Sequence, residues 1–279
     1  MKIGFIGQGF VGKAYADDFE ARGHDIVRYA KEEPYVKNKE AIAACDIVFI
    51  AVPTPTTTKG FDDHILRDVL SLVGSGSVAV IKSTLVPGRT KELQGAYPDI
   101  FVLHSPEFLT EKTAKEDAAH PMRNIIGIPV DSPKYRAAAQ NVLETLPKAP
   151  YELICTSDEA EVIKYGGNCW FYVKVVYINM LYDLARERGL NWDVIEKGMA
   201  ADPRIGSTHL RPEHQGGRGA GGHCFIKDFA ALEEFYGEAF PLDVRGNTLL
   251  HALAEKNNEL LRSSGKDLDL LEGVYGSAH

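Results

Sequence analysis

Reactive side chains are densest in Gly221-Gly222-His223-Cys224-Phe225-Ile226-Lys227-Asp228, reached through a stretch with five glycines in seven residues, 216–222. An ordinary thiol is only a few per cent thiolate at neutral pH. Cys224 stands where the glycine-rich loop gives way to a helical pattern. A helix N-terminus with a lysine nearby, here Lys227, lowers a thiol's pKa and raises its thiolate fraction. Asp228, four residues after the cysteine, suits a general base or a holder of water. Glycines let a backbone approach a ligand closely or take positive φ angles. The pattern predicts a nucleophilic cysteine; its plainer alternative is a flexible linker ending in an inert one. Cys45, Cys155 and Cys169 read as small buried apolar residues, with no CxxC spacing among the four.

Two further groups are set by spacing. Lys164 and Asn168 are four apart in a proline-free helical pattern over 157–188, so they share a face, with Glu161 on the same side. Taken alone, Lys164 reads equally as a solvated surface lysine. Near the start, Gly7-Gln8-Gly9-Phe10-Val11-Gly12 joins a short apolar run to a helical pattern. In that setting Gly7 permits a tight turn, Gly9 admits a pyrophosphate to the backbone, and Gly12 lets helix and strand pack closely. The helix N-terminus then offers free N–H groups and partial positive charge to the phosphates. The acid that binds adenosine ribose about 20 residues later is replaced by Ala30. Arg28 or Lys31 can meet a 2′-phosphate instead, so NADP stands beside NAD. Proline-rich loops at Val52-Pro53-Thr54-Pro55 and Lys82-Ser83-Thr84-Leu85-Val86-Pro87-Gly88 follow two strand patterns, where open α/β sheets bind ligands.

The elements that must hold these groups are legible as alternating patterns. Apolar, β-branched runs at 3–6, 25–29, 46–52, 78–82, 100–103, 125–128 and 151–154 alternate with helical stretches at 13–22, 62–73 and 133–146. Strands buried on both faces between amphipathic helices predict a Rossmann-type, doubly wound parallel sheet over residues 1–156. Helices at 157–188, 192–199, 229–236 and 244–262 predict an all-helical catalytic and dimerisation domain over 157–279. The long central helix spans roughly 45 Å, which suits a spine between domains and a homodimer contact. Trp170, Trp192 and Phe171-Tyr172-Val173 read as packing residues. A formal net charge of −8 argues against nucleic acid as a partner. No apolar stretch approaches the roughly 20 residues of a membrane helix, the first strand leaves no room for a signal peptide, and a cytoplasmic protein is expected. Nine histidines show no metal-ligand spacing, so no metal is expected.

In chain order, residues 7–12, Val52-Pro53-Thr54-Pro55, Ser83-Thr84, Ser105-Pro106-Glu107-Phe108-Leu109, Lys164 with Asn168, Asp202-Pro203-Arg204-Ile205-Gly206 and residues 221–228 resemble the UDP-glucose/GDP-mannose dehydrogenase family. The resemblance implies a four-electron oxidation of a nucleotide-sugar CH2OH to a carboxylate, UDP-glucose to UDP-glucuronate, with NAD used twice. It implies that Cys224 forms a thiohemiacetal and then a thioester, and that Lys164 and Asn168 stabilise the oxyanion. Asp228 and Thr84 would position or activate water. Glu107 and Glu111 match the family's paired acids, Glu111 being the better candidate for hydrolysis. Cofactor contacts would come from Gly7, Gly9, Phe10, Val11, Gly12, Tyr29, Lys31, Pro53, Thr54, Thr84 and Lys227. Substrate contacts would come from Glu107, Phe108, Leu109, Lys164, Asn168, Arg204, Gly219 and Gly221. The resemblance reaches residue 262, without the family's further α/β domain that completes the nucleotide-sugar site, and the loop before Gly219 is longer than the family's. Two other activities remain open: a two-electron β-hydroxyacid dehydrogenase, which needs no cysteine, and a cofactor-binding subunit without turnover.

Overall fold

The computed structural model describes residues 1–276. The chain forms two compact units: Met1–Thr54 with Asp62–Lys164, and Pro55–Phe61 with the chain from Tyr165 onward. In order, the first half contains β1 (Lys2–Ile6), α1 (Phe10–Ala21), β2 (Asp25–Tyr29), β3 (Ile47–Ile50), the hairpin strands β4 (Thr56–Thr57) and β5 (Gly60–Phe61), α2 (His64–Leu70), β6 (Val78–Ile81), α3 (Arg89–Ala96), β7 (Phe101–His104), α4 (Ala114–Ala119), β8 (Arg123–Ile128), α5 (Pro133–Thr145) and β9 (Tyr151–Thr156). The second half contains α6 (Ser157–Glu187), α7 (Trp192–Ala200), β10 (Glu213–His214), β11 (Gly217–Arg218), α8 (Gly222–Ala239), α9 (Val244–Ser264) and α10 (Leu268–Tyr275). The unit boundary falls inside the unbroken α6, between Lys164 and Tyr165.

The first unit is a seven-stranded sheet in the order β2-β1-β3-β6-β7-β8-β9. Its five inner strands are largely buried while the edge strands β2 and β9 are only partly so, and Phe5 stacks on Phe49 at 5.2 Å while Phe19 of α1 meets both edge-on. The first five strands are parallel, as their pattern predicts, but β8 pairs antiparallel to β7 and β9 then runs parallel to β8. The reason lies in the connection. Between β7 and β8 the longest helix is α4, six residues, about 9 Å long at 1.5 Å per residue. That is too short to carry the chain back along the sheet for a parallel crossover.

The second unit is helical. Tyr172 of α6 stacks flat on Phe229 of α8, with ring centroids 3.9 Å apart, and both are buried. Trp192 is buried beside Tyr182 as expected, whereas Trp170 is 63% exposed. The packing expectation for Trp170 fails because it lies on the outward stripe of α6, with Tyr177, Met180 and Leu184, each more than half exposed. Helix α8 begins at Gly222, seven residues before the helical pattern does, because its first turn is started by a tertiary cap rather than by propensity. Helix α10 carries little signal in the sequence and is held by burial of Leu271 with Ile226 and Leu261. Among the described residues no helix is long and apolar enough to cross a membrane.

Candidate active site

The glycine turn after β1 is built as its spacing demands. Gly7 has φ +88°, and a Cβ there would lie 2.1 Å from the Ala51 carbonyl oxygen. A Cβ on Gly12 would lie 2.0 Å from the Gly7 oxygen, while the corresponding position on Gly9 faces open space. Gly9 caps α1 without a side-chain hydrogen bond, and no acid occupies the helix's first turn. The uncapped N–H groups and the open face at Gly9 fit the diphosphate of a dinucleotide. Phe10 and Val11 open the helix, Phe10 largely exposed. Tyr29 is buried, and its carbonyl accepts from the Gly7 N–H at 2.9 Å. Lys31 is exposed just beyond it. Arg28, read above as a possible partner for a 2′-phosphate, is instead committed to Asp17 at 2.6 Å and Glu20 at 2.7 Å, both on α1.

The loops after β3 and β6 interlock. The Thr54 hydroxyl donates to the Thr84 carbonyl at 2.8 Å, and Ser83 Oγ accepts from Val52 N–H and donates to Val52 O. Pro53 is exposed beside them. Beneath lies a buried set of charged groups that sequence reasoning only half found. Lys164 donates to Glu107 Oε1 at 2.7 Å and to the Glu107 carbonyl at 2.8 Å, and both side chains are under a tenth exposed. Lys164 is therefore a buried, paired ammonium rather than a surface lysine. The other oxygen of Glu107 accepts from Leu109 N–H, which fixes the turn carrying Phe108. Glu111, by contrast, is exposed in a short turn. Glu161 does not join Lys164 in one site. It accepts from Gly88 N–H, Thr90 N–H and the Thr90 hydroxyl at the start of α3, and burial pushes its carboxyl up to about 7.

Lys82, at the carboxyl end of β6, was passed over within its loop. Its ammonium is buried over the Tyr15 ring and donates to Ser105 Oγ at 2.9 Å. Burial pushes it down to about 7, while Glu107 opposes that shift. The signal was a lysine closing an otherwise apolar strand. His104 is fully buried, and neither ring nitrogen has a hydrogen-bond partner. Burial, with Lys82 and Lys164 adding to it, pushes His104 down to about 3. The unfolded histidine, near its ordinary 6.5, takes up a proton that the folded one refuses as pH falls towards 3. Stability should therefore drop through that window, by at most about 1.4 kcal/mol per pH unit from this group. Urea midpoints of His104→Leu against the parent between pH 7 and 4 check this: the parent's acid slope should be steeper, and equal slopes would refute it.

In the second unit Cys224 is the third residue of α8. Asp228, one turn later and 1% exposed, has both oxygens engaged. Oδ2 accepts from Asn168 Nδ2 at 2.6 Å, and Oδ1 accepts from Lys227. The two bonds hold the Asp228 carboxyl in place and fix the Asn168 amide, leaving its second N–H for another acceptor. The glycine loop is not a flexible wrap. Residues 213–218 form a hairpin, Arg218 holds Asn179 and Asp183 of α6, and Asn257 bonds both backbone groups of Ala220. Gly219 gives its carbonyl to Lys266, and the Cβ position of Gly221 is filled by Asp267. Arg204 is 88% exposed and pairs with Asp202. The structural partners Asn257, Lys266 and Asp267 follow no motif and lie far along the chain, so spacing could not reveal them.

Two stretches of the chain match models of one protein family. Residues 30–146 match the NAD-binding domain of the UDP-glucose/GDP-mannose dehydrogenase family, and residues 158–259 match its central domain. The glycine turn at 7–12 precedes the matched span and rests on its geometry. The chain is similar to UDP-glucose 6-dehydrogenase of Rhizobium meliloti, 31% identical over 83% of this chain and 62% of that protein. It therefore spans under two thirds of that relative's length. Among solved structures, a UDP-glucose dehydrogenase from the archaeon Pyrobaculum islandicum superposes with TM-score 0.80 at 27% identity, over 97% of this chain and 70% of that one. A 3-hydroxyisobutyrate dehydrogenase from Mycobacterium tuberculosis shares the fold at TM-score 0.64 and 18% identity, each chain covered to 98%. With an NAD-binding sheet, a central helical unit and a cysteine at the head of α8, the chain belongs to the UDP-glucose/GDP-mannose dehydrogenase family.

Proposed function

We propose that the chain is an NAD-dependent nucleotide-sugar 6-dehydrogenase that oxidises UDP-glucose to UDP-glucuronate. The observation that carries this is Cys224 in the first turn of α8, one turn before an Asp228 bonded to both Lys227 and Asn168. NAD, when bound, supplies the hydride acceptor for each of two oxidations. Gly7, Gly9, Gly12 and the head of α1 hold its diphosphate, and Phe10, Val11, Tyr29, Pro53, Thr54, Thr84 and Lys227 line the rest. The commitment of Arg28 to Asp17 and Glu20 favours NAD over NADP.

The chain's own groups then divide the work. The Cys224 thiol adds to the aldehyde carbon and passes its proton to solvent, which retains a reactive aldehyde on the protein as a thiohemiacetal. Oxidation at that carbon leaves a thioester, and water cleaves it to carboxylate and thiol. Lys164 and the second N–H of Asn168 face the oxyanions of these stages. Asp228, fixed by Asn168 and Lys227, is assigned with Thr84 to the hydrolytic water. We assign the acid–base role to Glu107 in preference to Glu111, since only Glu107 is buried and paired. Phe108, Leu109, Arg204, Gly219 and Gly221 contact the sugar nucleotide. Residues 1–156 act as the dinucleotide-binding domain and 157–279 as the catalytic domain, in the cytoplasm, where four unbridged thiols stay reduced.

Absorbance at 340 nm with UDP-glucose and excess NAD tests the activity. Two reduced cofactors per sugar are expected, and one per sugar would refute a four-electron reaction. The chain is further read as a homodimer through α6, supported by the exposed apolar residues Trp170, Tyr177, Met180 and Leu184, with half-buried Val173 completing the stripe at spacings of three and four. Tyr177→Glu with Met180→Glu should convert a dimer into a folded monomer by light scattering. A parent that is monomeric at micromolar concentration would overturn this.

A further inference from the structure

We propose that Asp267 is a positioning residue for Cys224: its carboxylate caps the first turn of α8 and restrains ionisation of the thiol which that turn carries. The catalytic meaning rests on the function proposed above. The placement of Asp267 does not.

Asp267 is the residue before α10, the position from which an aspartate ordinarily caps its own helix. It makes no such bond. Its Oδ2 instead accepts from Gly222 N–H at 2.7 Å, the first residue of α8, two before Cys224. The neighbourhood is shaped for this. A Cβ on Gly221 would fall 2.0 Å from the same Asp267 oxygen, so only glycine admits the carboxylate there. Asp267 itself sits at φ +51°, a left-handed conformation unfavourable to a residue with a side chain. It is held there from both sides. Gly265 turns the end of α9, Lys266 N–H donates to Leu261 O, and Lys266 Nζ donates to Gly219 O. Leu271 of α10 is buried against Ile226, in the same stretch of α8 as Cys224. Asp267 lies beyond the residues matching the family's central domain.

The sign follows from charge. A helix's first turn presents partial positive charge, which favours a thiolate. A carboxylate bonded into that turn cancels part of it and repels a second anion. On α8, His223, Lys227 and Asp228 are the other titratable groups within a turn of the thiol, and Lys227 is spent on Asp228. Lys266, from the α9–α10 junction, offsets Asp267 only in part because its ammonium is engaged by Gly219.

The test is the pH dependence of Cys224 alkylation by iodoacetamide, read on the Cys224 peptide by mass spectrometry, in the whole chain. Asp267→Asn keeps an acceptor for Gly222 and removes the charge. The midpoint should move to lower pH, with alkylation below it faster by roughly two- to five-fold, the range expected of one charge at a helix terminus. Asp267→Glu, which keeps the charge, should hold the parent midpoint. Asp267→Ser, a neutral capping residue, repeats the test should the Asn variant not fold. A parent-like midpoint in the neutral variants, or an equal shift in Glu and Asn, overturns the proposal. Since turnover is not read, a shifted midpoint in a chain that fails to oxidise UDP-glucose would sustain the role of Asp267 and sink the function.

Discussion

Cys224→Ser should lower NAD-linked production of the sugar acid by about a thousand-fold or more, the scale on which loss of a covalent nucleophile is felt. The serine hydroxyl is nearly isosteric with the thiol, so the first turn of α8, the Asp228 pair with Asn168 and Lys227, and the unfolding midpoint should all persist. What disappears is the sulfur nucleophile on which the proposed thioester route depends. Without it the aldehyde is not captured, so any residual 340 nm signal should fall from two reduced cofactors per sugar towards one. The same variant separates the two dehydrogenase chemistries this fold supports. The fold is also that of a 3-hydroxyisobutyrate dehydrogenase, and the two-electron β-hydroxyacid oxidation left open by the sequence needs no thiol. Full activity in Cys224→Ser would therefore refute the thioester route while leaving the dinucleotide-binding sheet untouched.

What could be read from the sequence depended on how local the cause was. The glycines at 7, 9 and 12 are fixed by backbone geometry within six residues, so their spacing foretold the positive φ at Gly7 and the tight approach at Gly12. Helix α6 was legible because 31 residues without proline leave few alternatives. Lys164 and Asn168 were rightly placed four apart, yet helical spacing could not say that one is buried on Glu107 and the other on Asp228. Those partners are 57 and 60 residues away. Glu161 shared their face by spacing but turned to cap α3, because burial and three donors decide a carboxylate's use, and neither is a property of periodicity. The reversal of β8 and β9 was hidden for a similar reason: strand direction is set by the short α4, while the apolar runs look the same either way. The glycine-rich loop misled most. Its glycines promised flexibility, whereas Gly217 and Gly221 are small because Lys266, Ser264 and Asp267 press against them.

Lys164→Met should be the most destabilising of the single changes considered, costing about 3–5 kcal/mol, because it leaves the Glu107 carboxylate buried without its ammonium. Both donors that Lys164 directs at Glu107, to the side chain and to the carbonyl, vanish together. The surroundings offer little relief. His104 carries no positive charge at pH 7 and makes no hydrogen bond to Glu107, and Lys82 is turned to Ser105. Methionine matches the lysine stem in length, so lost packing contributes little and the cost is electrostatic. Urea denaturation at pH 7 measures it, and Glu107→Gln in the same chain supplies the control. If the cost is that of an orphaned charge, the double variant Lys164→Met/Glu107→Gln should recover a large part of it, since no anion remains to be solvated. The double variant should nonetheless stay inactive, because the ammonium assigned to the oxyanion is gone. A Lys164→Met protein as stable as the parent would mean that the buried ion pair is not what holds the Ser105-Pro106-Glu107 turn in place, and a double variant with parental turnover would remove Lys164 and Glu107 from the chemistry altogether.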